Sequence, residues 1–270
     1  MANLPSARRQ KILTILESKD YAEVSYLSDL FSVSEMTIRR DIEKLEKEGY
    51  VFRVYGGVKL KEKQVVEGSV DERLSTHNRE KRVMAEEAVK MIQPGDVIAF
   101  DASTSALELS KLIKNIDNLT VVTNNINIAV ELANCKNVAV ILLGGFLRGK
   151  SLSLIGASLQ KYLEDIYIDK AFLSSKALDG VEGLTDSTID EGEAKQAIIS
   201  RSKEVIVLAD RSKLGRHAFF RVCSPEKLDY VITDCLEPYT SEQEECLTRL
   251  RENGVHIIEA KSGQLSDSLS

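Results

Sequence analysis

Two adjacent arginines lie in the run Ser34-Glu35-Met36-Thr37-Ile38-Arg39-Arg40-Asp41, near the start of the chain. Guanidinium groups bind phosphates and the edges of guanine bases, and a recognition helix presents its N-terminal residues to base edges in the DNA major groove. Ser34 is suited to cap such a helix, since its hydroxyl can accept a hydrogen bond from an amide one turn later. A short apolar helical pattern and a polar turn precede the helix. These features predict a helix-turn-helix, at about residues 22–41, that binds a double-stranded DNA operator.

The helix that carries the arginines needs an inward apolar face to hold it in place. Ile38, Ile42 and Leu45 recur at i, i+4 and i+7, which turns the polar positions outward. Asp41 would repel phosphate, so we expect it to pair with an arginine. The helix is expected to end at Gly49. The apolar positions predicted to form the inward faces of this domain are Ile12, Leu13, Ile15, Leu16, Leu27, Leu30, Phe31, Ile38, Ile42 and Leu45.

A β-hairpin is predicted directly after this helix, because residues 50–55 have strand character and Gly56-Gly57 can form the turn. A hairpin in this place is a wing, and its Arg53 and Lys59 are positioned to meet DNA phosphates. The alternative is that the two helix arginines form a solvated face or pair with acidic residues of their own helix. The residues predicted to contact DNA are Ser34, Met36, Thr37, Arg39, Arg40, Lys44, Arg53, Tyr55 and Lys59.

Composition places this domain within a larger folded protein. The chain has 270 residues, is 43% hydrophobic and carries a formal net charge of −6, and two domains are expected at this length. Residues 1–60 hold ten Lys and Arg against nine Asp and Glu, so the negative charge lies elsewhere. No apolar run approaches the roughly 20 residues that cross a membrane and no signal-peptide pattern is present, so we expect a cytoplasmic protein with no membrane partner. The scattered cysteines and histidines predict no metal, no cofactor and no disulfide.

The residues after 78 alternate between strand and helix patterns, which predicts an α/β domain with a mostly parallel sheet. Several strands are continuous apolar runs, as expected where both faces of a sheet are covered. The predicted strands span residues 97–101, 119–123, 138–143, 169–174, 204–210, 230–234 and 255–258. The predicted helices include residues 80–91, 104–114, 126–134 and 193–202.

Polar residues and glycines follow several of these strands, at the edge where parallel α/β sheets bind ligands. Three hydroxyl residues open a helix, where amides can hold a phosphate. Two glycines would let backbone approach a ligand closely, and lysines supply positive charge. This combination suits a small phosphorylated, hydroxylated molecule; alternatively, the hydroxyls only cap a helix and the lysines are solvated. The residues predicted to bind this ligand are Asp101, Ser103, Thr104, Ser105, Thr123, Asn124, Gly144, Gly145, Lys195, Asp210 and Lys213.

Both regions contain runs that match one known family. In the first region they are Ser32-Val33-Ser34, Thr37-Ile38-Arg39-Arg40-Asp41-Ile42, Leu45, Gly49, Arg53 and Gly56-Gly57. In the second they are Pro94-Gly95-Asp96 to Thr104, Thr123-Asn124, Leu143-Gly144-Gly145, Asp169-Lys170-Ala171-Phe172, Gly183-Leu184-Thr185, Lys195 and Ala209-Asp210-Arg211-Ser212-Lys213. With these residues the chain resembles the DeoR family of bacterial transcriptional regulators.

The resemblance implies a repressor of a carbohydrate-utilisation operon whose operator affinity a phosphorylated sugar modulates. It also implies that the second domain resembles the folds of ribose-5-phosphate isomerase and the CoA-transferases. The alternative is an isomerase-like enzyme with an accessory DNA-binding domain. Those isomerases carry an Asp-Gly-Ala-Asp motif that supplies carboxylates, whereas this chain has the apolar Phe172 where a general base is needed. We therefore expect no enzymatic activity.

The domain organisation expected from these patterns has four segments. They are a winged helix-turn-helix domain at residues 1–60, a linker at 61–78, an effector-sensing and oligomerisation domain at 79–260 and a disordered tail at 261–270. Helix-turn-helix proteins read paired half-sites, so a homo-oligomer, dimer or tetramer, is expected.

Overall fold

The computed structural model describes residues 7–19, 21–47, 50–54, 56–60, 70–149 and 151–261. The chain divides into two compact units, residues 1–66 and 67–270. Gly49 and Tyr55, for which the sequence predicts a helix end and a DNA contact, lie outside the described residues, as do residues 262–270 of the predicted tail. None of the helices in the described part of the chain has the length and apolar character needed to cross a membrane.

The first unit is a winged helix-turn-helix, as predicted. Its elements are α1 (Ala7–Lys19), β1 (Tyr21–Glu23), α2 (Val24–Phe31), α3 (Glu35–Lys47), β2 (Val51–Val54) and β3 (Gly57–Leu60). Both β1 and β2 pair antiparallel with β3, so the wing has a third strand that is too short to show alternation in the sequence. Ile38, Ile42 and Leu45 are at most 1% exposed, which confirms the predicted inward face of α3.

One apolar position of this unit was wrongly predicted to face inward. Leu30 is 51% exposed, although Leu27 is fully buried. In α2 the inward stripe runs through Val24, Leu27 and Phe31, at i, i+3 and i+7. Leu30 lies about 90° from the middle of that stripe on a helix with 3.6 residues per turn. A helix of eight residues buries only one stripe, so Leu30 faces solvent.

The second unit is an α/β domain with a parallel sheet, which confirms the predicted fold class. Its helices are α4 (Val70–Ser75), α5 (Asn78–Ala88), α6 (Thr104–Leu112), α7 (Ile126–Leu132), α8 (Ala157–Leu163), α9 (Ile189–Ser200) and α10 (Ser241–Glu252). Its strands are β4 (Val97–Phe100), β5 (Leu119–Thr123), β6 (Val138–Leu142), β7 (Phe146–Arg148), β8 (Ser153–Ile155), β9 (Ile168–Leu173), β10 (Ala177–Asp179), β11 (Gly183–Asp186), β12 (Ser202–Leu208), β13 (Phe220–Cys223), β14 (Tyr230–Asp234) and β15 (His256–Ala260). Helix α4 forms within the segment interpreted as linker.

Seven strands form the main sheet in the order β15-β14-β12-β9-β4-β5-β6, and all their pairings are parallel. They correspond to the seven predicted strands. Ile98 and Phe100 pack into one core cluster and Ala99 into the other, so apolar layers cover both faces. The chain enters the sheet at β4, adds β5 and β6 on one side, and then crosses to β9 on the other. This switch point is where α/β sheets of this kind bind ligands.

Two smaller sheets of this unit were not predicted. Strands β7 and β8 form an antiparallel hairpin, and β10, β11 and β13 form a three-stranded antiparallel sheet. The strands are three or four residues long. Such lengths are too short for a reliable period-2 pattern.

Candidate nucleic-acid interface and effector site

The predicted cap of the recognition helix is present. Helix α3 begins after Ser34, whose Oγ accepts a hydrogen bond from the Thr37 amide at 3.4 Å. The hydroxyls of these two residues lie 3.0 Å apart. Ser34, Met36 and Arg40 are exposed, and Thr37 is half-buried. The first turn of α3 therefore presents hydroxyl and thioether groups to solvent.

The two helix arginines have different surroundings. Arg39 pairs with Glu35 at 3.3 Å on the exposed side of α3, and exposed pairs of this kind contribute little stability. Within the described part of the chain, no carboxylate pairs with Arg40. Asp41 accepts a 2.6 Å hydrogen bond from Arg8 of α1. The prediction that Asp41 pairs with an arginine is confirmed, but its partner lies on another helix.

The wing arginine is held against the recognition helix. Arg53 Nε lies 2.7 Å from Glu46 Oε2, and its Nη1 lies 3.5 Å from Glu43 Oε1. The Arg53 amide also donates to Glu46 at 3.2 Å. Lys59 and Lys44 are exposed. Arg53 therefore fixes the wing to α3, and Lys59 is the wing cation that stands open to solvent.

In the second unit, polar residues follow four adjacent strands at the carboxyl edge of the sheet. Asp101 follows β4, Asn124 follows β5, Ser174 follows β9 and Asp210 lies two residues after β12. The Ser174 amide donates to Asp101 Oδ2 at 3.0 Å, and its hydroxyl donates to the Leu208 carbonyl at 2.6 Å. We name this edge the effector cup. It consists of Lys81, Asp101, Thr104, Ser105, Asn124, Ser174, Lys195, Asp210 and Lys213.

Lys195 is a buried positive charge between carboxylates. Its Nζ lies 2.9 Å from Asp186 Oδ2 and 3.4 Å from Asp101 Oδ2, and the residue is 5% exposed. Burial alone would lower the pKa of Lys195, but the carboxylates of Asp186, Asp101 and Glu191 outweigh burial and raise that pKa above its usual value. Burial raises the pKa of Asp101 despite the opposing charge of Lys195. Lys195 therefore stays charged and orients Asp101.

Lys213 contacts the side chain of Ser174, the residue whose amide bonds to Asp101. Its Nζ donates to Ser174 Oγ at 2.7 Å and is 3.6 Å from Asp210 Oδ2. Burial would raise the pKa of Asp210, but the charge of Lys213 and the hydrogen bonds from Ser212 outweigh it and lower that pKa. Asp210 therefore remains ionised and holds Lys213 at the cup.

Lys81 is a cation of the cup that the sequence did not single out. It is 5% exposed, and its Nζ donates to the Thr76 carbonyl at 2.6 Å and to the Arg73 carbonyl. Burial, followed by the positive charge of Lys213, lowers the pKa of Lys81 to about 8. The two ammonium groups are thus near enough to repel each other. The sequence offered no signal for this, because residues far apart in the chain produce it.

At the start of α6, some polar groups form hydrogen bonds within the protein and others have no partner among the described residues. Ser103 Oγ accepts a hydrogen bond from the Ala106 amide at 3.0 Å, and the Ser103 amide donates to Asp101 Oδ1 at 3.2 Å. Ser103 is therefore the helix cap. Among the described residues, the Thr104 and Ser105 amides have no acceptor, and the buried Ser105 hydroxyl has no partner.

Asn124 brings a further unpaired group to the cup. Its Nδ2 donates to the Leu154 carbonyl at 3.0 Å, and the residue is 1% exposed. Within the described residues its Oδ1 has no hydrogen-bond partner. A buried acceptor of this kind costs free energy unless a donor arrives. Asn124 can therefore accept from a ligand hydroxyl.

Three residues predicted to bind the ligand have contacts within the protein. Thr123 Oγ1 donates to the Phe100 carbonyl at 2.9 Å and accepts from the Asn125 amide at 3.1 Å. The space beside Gly145, where a Cβ would stand, is filled by the Ile155 carbonyl, and a side chain at Gly144 would meet the ring of Tyr162. Gly145 thus admits the neighbouring Ile155 backbone, whereas Gly144 has room for a side chain.

Position 172, near the end of β9, carries an apolar side chain. Phe172 is fully buried and packs against Phe100, with ring centroids 5.9 Å apart. The four cysteines are free. Among the described residues, no group of three or more His, Cys, Asp or Glu side chains is placed to hold a metal ion.

Comparison with known proteins finds the same two regions. Residues 8–64 match the DeoR-like helix-turn-helix domain, and residues 76–235 match the DeoR C terminal sensor domain. The chain is 41% identical over 231 residues to the HTH-type transcriptional regulator YulB of Bacillus subtilis, covering 86% of this chain and 89% of that protein. It is 33% identical to the HTH-type transcriptional repressor GlcR of the same organism, in a match that covers 83% of this chain and 86% of that protein. A third relative, the HTH-type transcriptional regulator GolR of Listeria innocua, is 33% identical, and the match covers 85% of this chain and 91% of that protein.

The fold is also similar to solved structures at a distant level. Ribose 5-phosphate isomerase A from Methanocaldococcus jannaschii is 16% identical, with a TM-score of 0.39 over 52% of this chain and 55% of that one. A likeness of this size says nothing about activity. The curated relatives reported above are named as regulators rather than enzymes.

Proposed function

This chain belongs to the DeoR family of DNA-binding transcriptional regulators, and from that membership we propose that it represses a carbohydrate-utilisation operon under the control of a phosphorylated sugar. In this proposal the first unit binds the operator, and the second unit binds the effector and joins at least two copies. Repression is supported by a relative named as a repressor. Two copies are needed because helix-turn-helix domains read paired half-sites.

The observation that carries the effector assignment is the set of unpaired groups in the effector cup. The Thr104 and Ser105 amides open a helix, where anions are favoured. Lys213 and Lys81 bring two positive charges close together, and an anion between them would relieve their repulsion. Asn124 Oδ1 and Ser105 Oγ are buried polar atoms that need partners. A phosphate with hydroxyl groups attached carries both the negative charge and the hydrogen-bonding groups that these residues call for.

The proposed mechanism is linkage between two binding equilibria. The sugar phosphate would bind with different affinity to two states of the protein, one whose DNA-binding domains can engage the paired half-sites of the operator and one whose domains cannot. A coupling free energy of about 1–3 kcal/mol would change operator affinity roughly 5- to 150-fold.

The test has two stages. A thermal-shift screen of pentose and hexose phosphates identifies the effector, and operator binding is then titrated against it by fluorescence anisotropy. Thr104→Val removes one hydroxyl, and Lys213→Ala removes one charge; each should keep operator affinity and lose the effector response. Lys203→Ala is the matched control, because Lys203 is exposed near the amino end of β12. An unaltered response in both cup variants would place the effector elsewhere.

A further inference from the structure

A long uncharged run begins with strand β6, at one edge of the main sheet, and continues into β7. Residues 138–147 read VAVILLGGFL, with no charged residue and no proline. Strand β6 forms an edge of the sheet, since among the described residues its one partner strand is β5. Four apolar side chains at its end and on β7 are exposed: Ile141 at 38%, Leu142 at 42%, Phe146 at 80% and Leu147 at 57%. We call these four residues the apolar edge.

An exposed apolar strand edge is a site where another chain pairs. Proteins usually protect such edges with charges, proline or a covering element. The apolar edge has neither charge nor proline. Tyr162, which lies beside Gly144 and is 62% exposed, enlarges the patch. Contiguous exposed apolar groups of this kind mark interaction surfaces.

The hairpin that carries Phe146 and Leu147 is anchored from its other side. Ser151 and Ser153 donate to Glu191 of α9 at 2.8 and 2.6 Å. Asn124 and Leu154 exchange two hydrogen bonds, of 2.8 and 3.0 Å. These contacts hold the hairpin in place while Phe146 remains outside. The exposed side is therefore preorganised, which lowers the entropy cost of association.

We propose that the apolar edge binds the same edge of a second copy of this chain, with the two β6 strands antiparallel across a two-fold axis. A two-fold contact brings one patch against itself, and an antiparallel strand pair is self-complementary in this sense. An uncharged patch also meets its own copy without like-charge repulsion. The need for a second copy rests on the proposed function, because paired half-sites require two helix-turn-helix domains.

The proposal is tested by the mass of the full chain in solution. Sedimentation velocity over a concentration series should show the wild type as a dimer or a larger even assembly. Phe146→Ser and, separately, Leu147→Lys should weaken self-association about tenfold or more, as for a central apolar residue of an interface. Phe219→Ser is the matched control, since Phe219 is 75% exposed but lies just before β13 of another sheet. It should leave the mass unchanged.

Two results would overturn the proposal. One is a wild type that stays monomeric at every concentration, which would leave the edge without a second copy. The other is self-association of Phe146→Ser and Leu147→Lys at wild-type strength. The second result would refute the apolar edge alone and leave the proposed function standing, whereas a monomeric wild type would also remove the joining of two copies from that function. Operator binding that responds to no sugar phosphate would refute the proposed effector control and leave the apolar edge standing.

Discussion

The proposed DNA-binding surface and the effector cup differ in the burial of their positively charged side chains. On α3 and the wing, Arg40 and Lys59 stand in solvent, and the side chain of Arg39 is 57% exposed beside Glu35. In the effector cup, Lys195 and Lys81 are each 5% exposed and fixed by several partners. A DNA duplex presents a continuous row of phosphates, so cations that stand in solvent are sufficient to bind it. A single small ligand must be met by groups already in position.

This difference predicts which substitutions affect folding. Cations on the first surface contribute to DNA affinity and little to stability. Lys195 of the cup belongs to a buried network, so its removal leaves the carboxylates of Asp101 and Asp186 without their cation.

Lys195→Met should cause the largest loss of stability. Asp186 and Asp101 would keep buried negative charge without the ammonium group that now lies 2.9 and 3.4 Å from them. Removing one partner of a buried ion pair costs about 3–5 kcal/mol. Urea unfolding followed by circular dichroism would measure this. Lys203→Met is the control and should change stability by less than about 0.5 kcal/mol. An equally small change for Lys195→Met would show that the network is not held by this charge.

Arg40→Ala should leave folding intact and weaken specific operator binding. The side chain is exposed and, within the described part of the chain, has no carboxylate partner. Loss of a base-reading arginine costs about 1–3 kcal/mol and relaxes preference at the position it reads. Anisotropy titrations with operator and scrambled duplexes would measure both effects. Unchanged discrimination between the duplexes would mean that another face of α3 reads the bases.

How far each region could be predicted follows from where its stabilising contacts lie. The strands of the main sheet are continuous apolar runs, and α3 has an i, i+4, i+7 stripe, so local patterns sufficed for both. The hairpin of β7 and β8 could not be predicted, because Glu191, forty residues after Ser151, holds it. Lys81 was missed for the same reason, since burial and then the charge of the distant Lys213 lower its pKa. Local periodicity thus predicted the main helices and strands, whereas polar contacts between residues far apart in the chain position the groups of the candidate site.

Lys81→Met should change the pH dependence of stability. Burial and the charge of Lys213 lower the pKa of Lys81 from 10.5 to about 8 in the folded protein. Between these values the unfolded chain binds more protons than the folded one, so the unfolding free energy contributed by this lysine rises with pH. The wild type should therefore gain stability relative to Lys81→Met as the pH rises through this window. Urea unfolding of both proteins at several pH values measures the difference. A constant difference would contradict the assigned pKa.

The smallest expected effect separates the two wing cations. Lys59 is exposed, whereas Arg53 lies 2.7 Å from Glu46 and 3.5 Å from Glu43. A cation already neutralised by carboxylates displaces fewer counterions from DNA than a solvated one. Lys59→Ala should therefore weaken binding to all sequences and reduce the slope of log affinity against log salt by about one unit. Arg53→Ala should change the slope less, and it should loosen the wing because the ion pairs to α3 are lost. Anisotropy titrations of both variants over a salt series measure the slopes. A larger slope change for Arg53→Ala than for Lys59→Ala would mean that Arg53 leaves Glu43 and Glu46 to bind a DNA phosphate. The ion pairs of the free protein would then not identify the residues that contact DNA, even on the solvated surface.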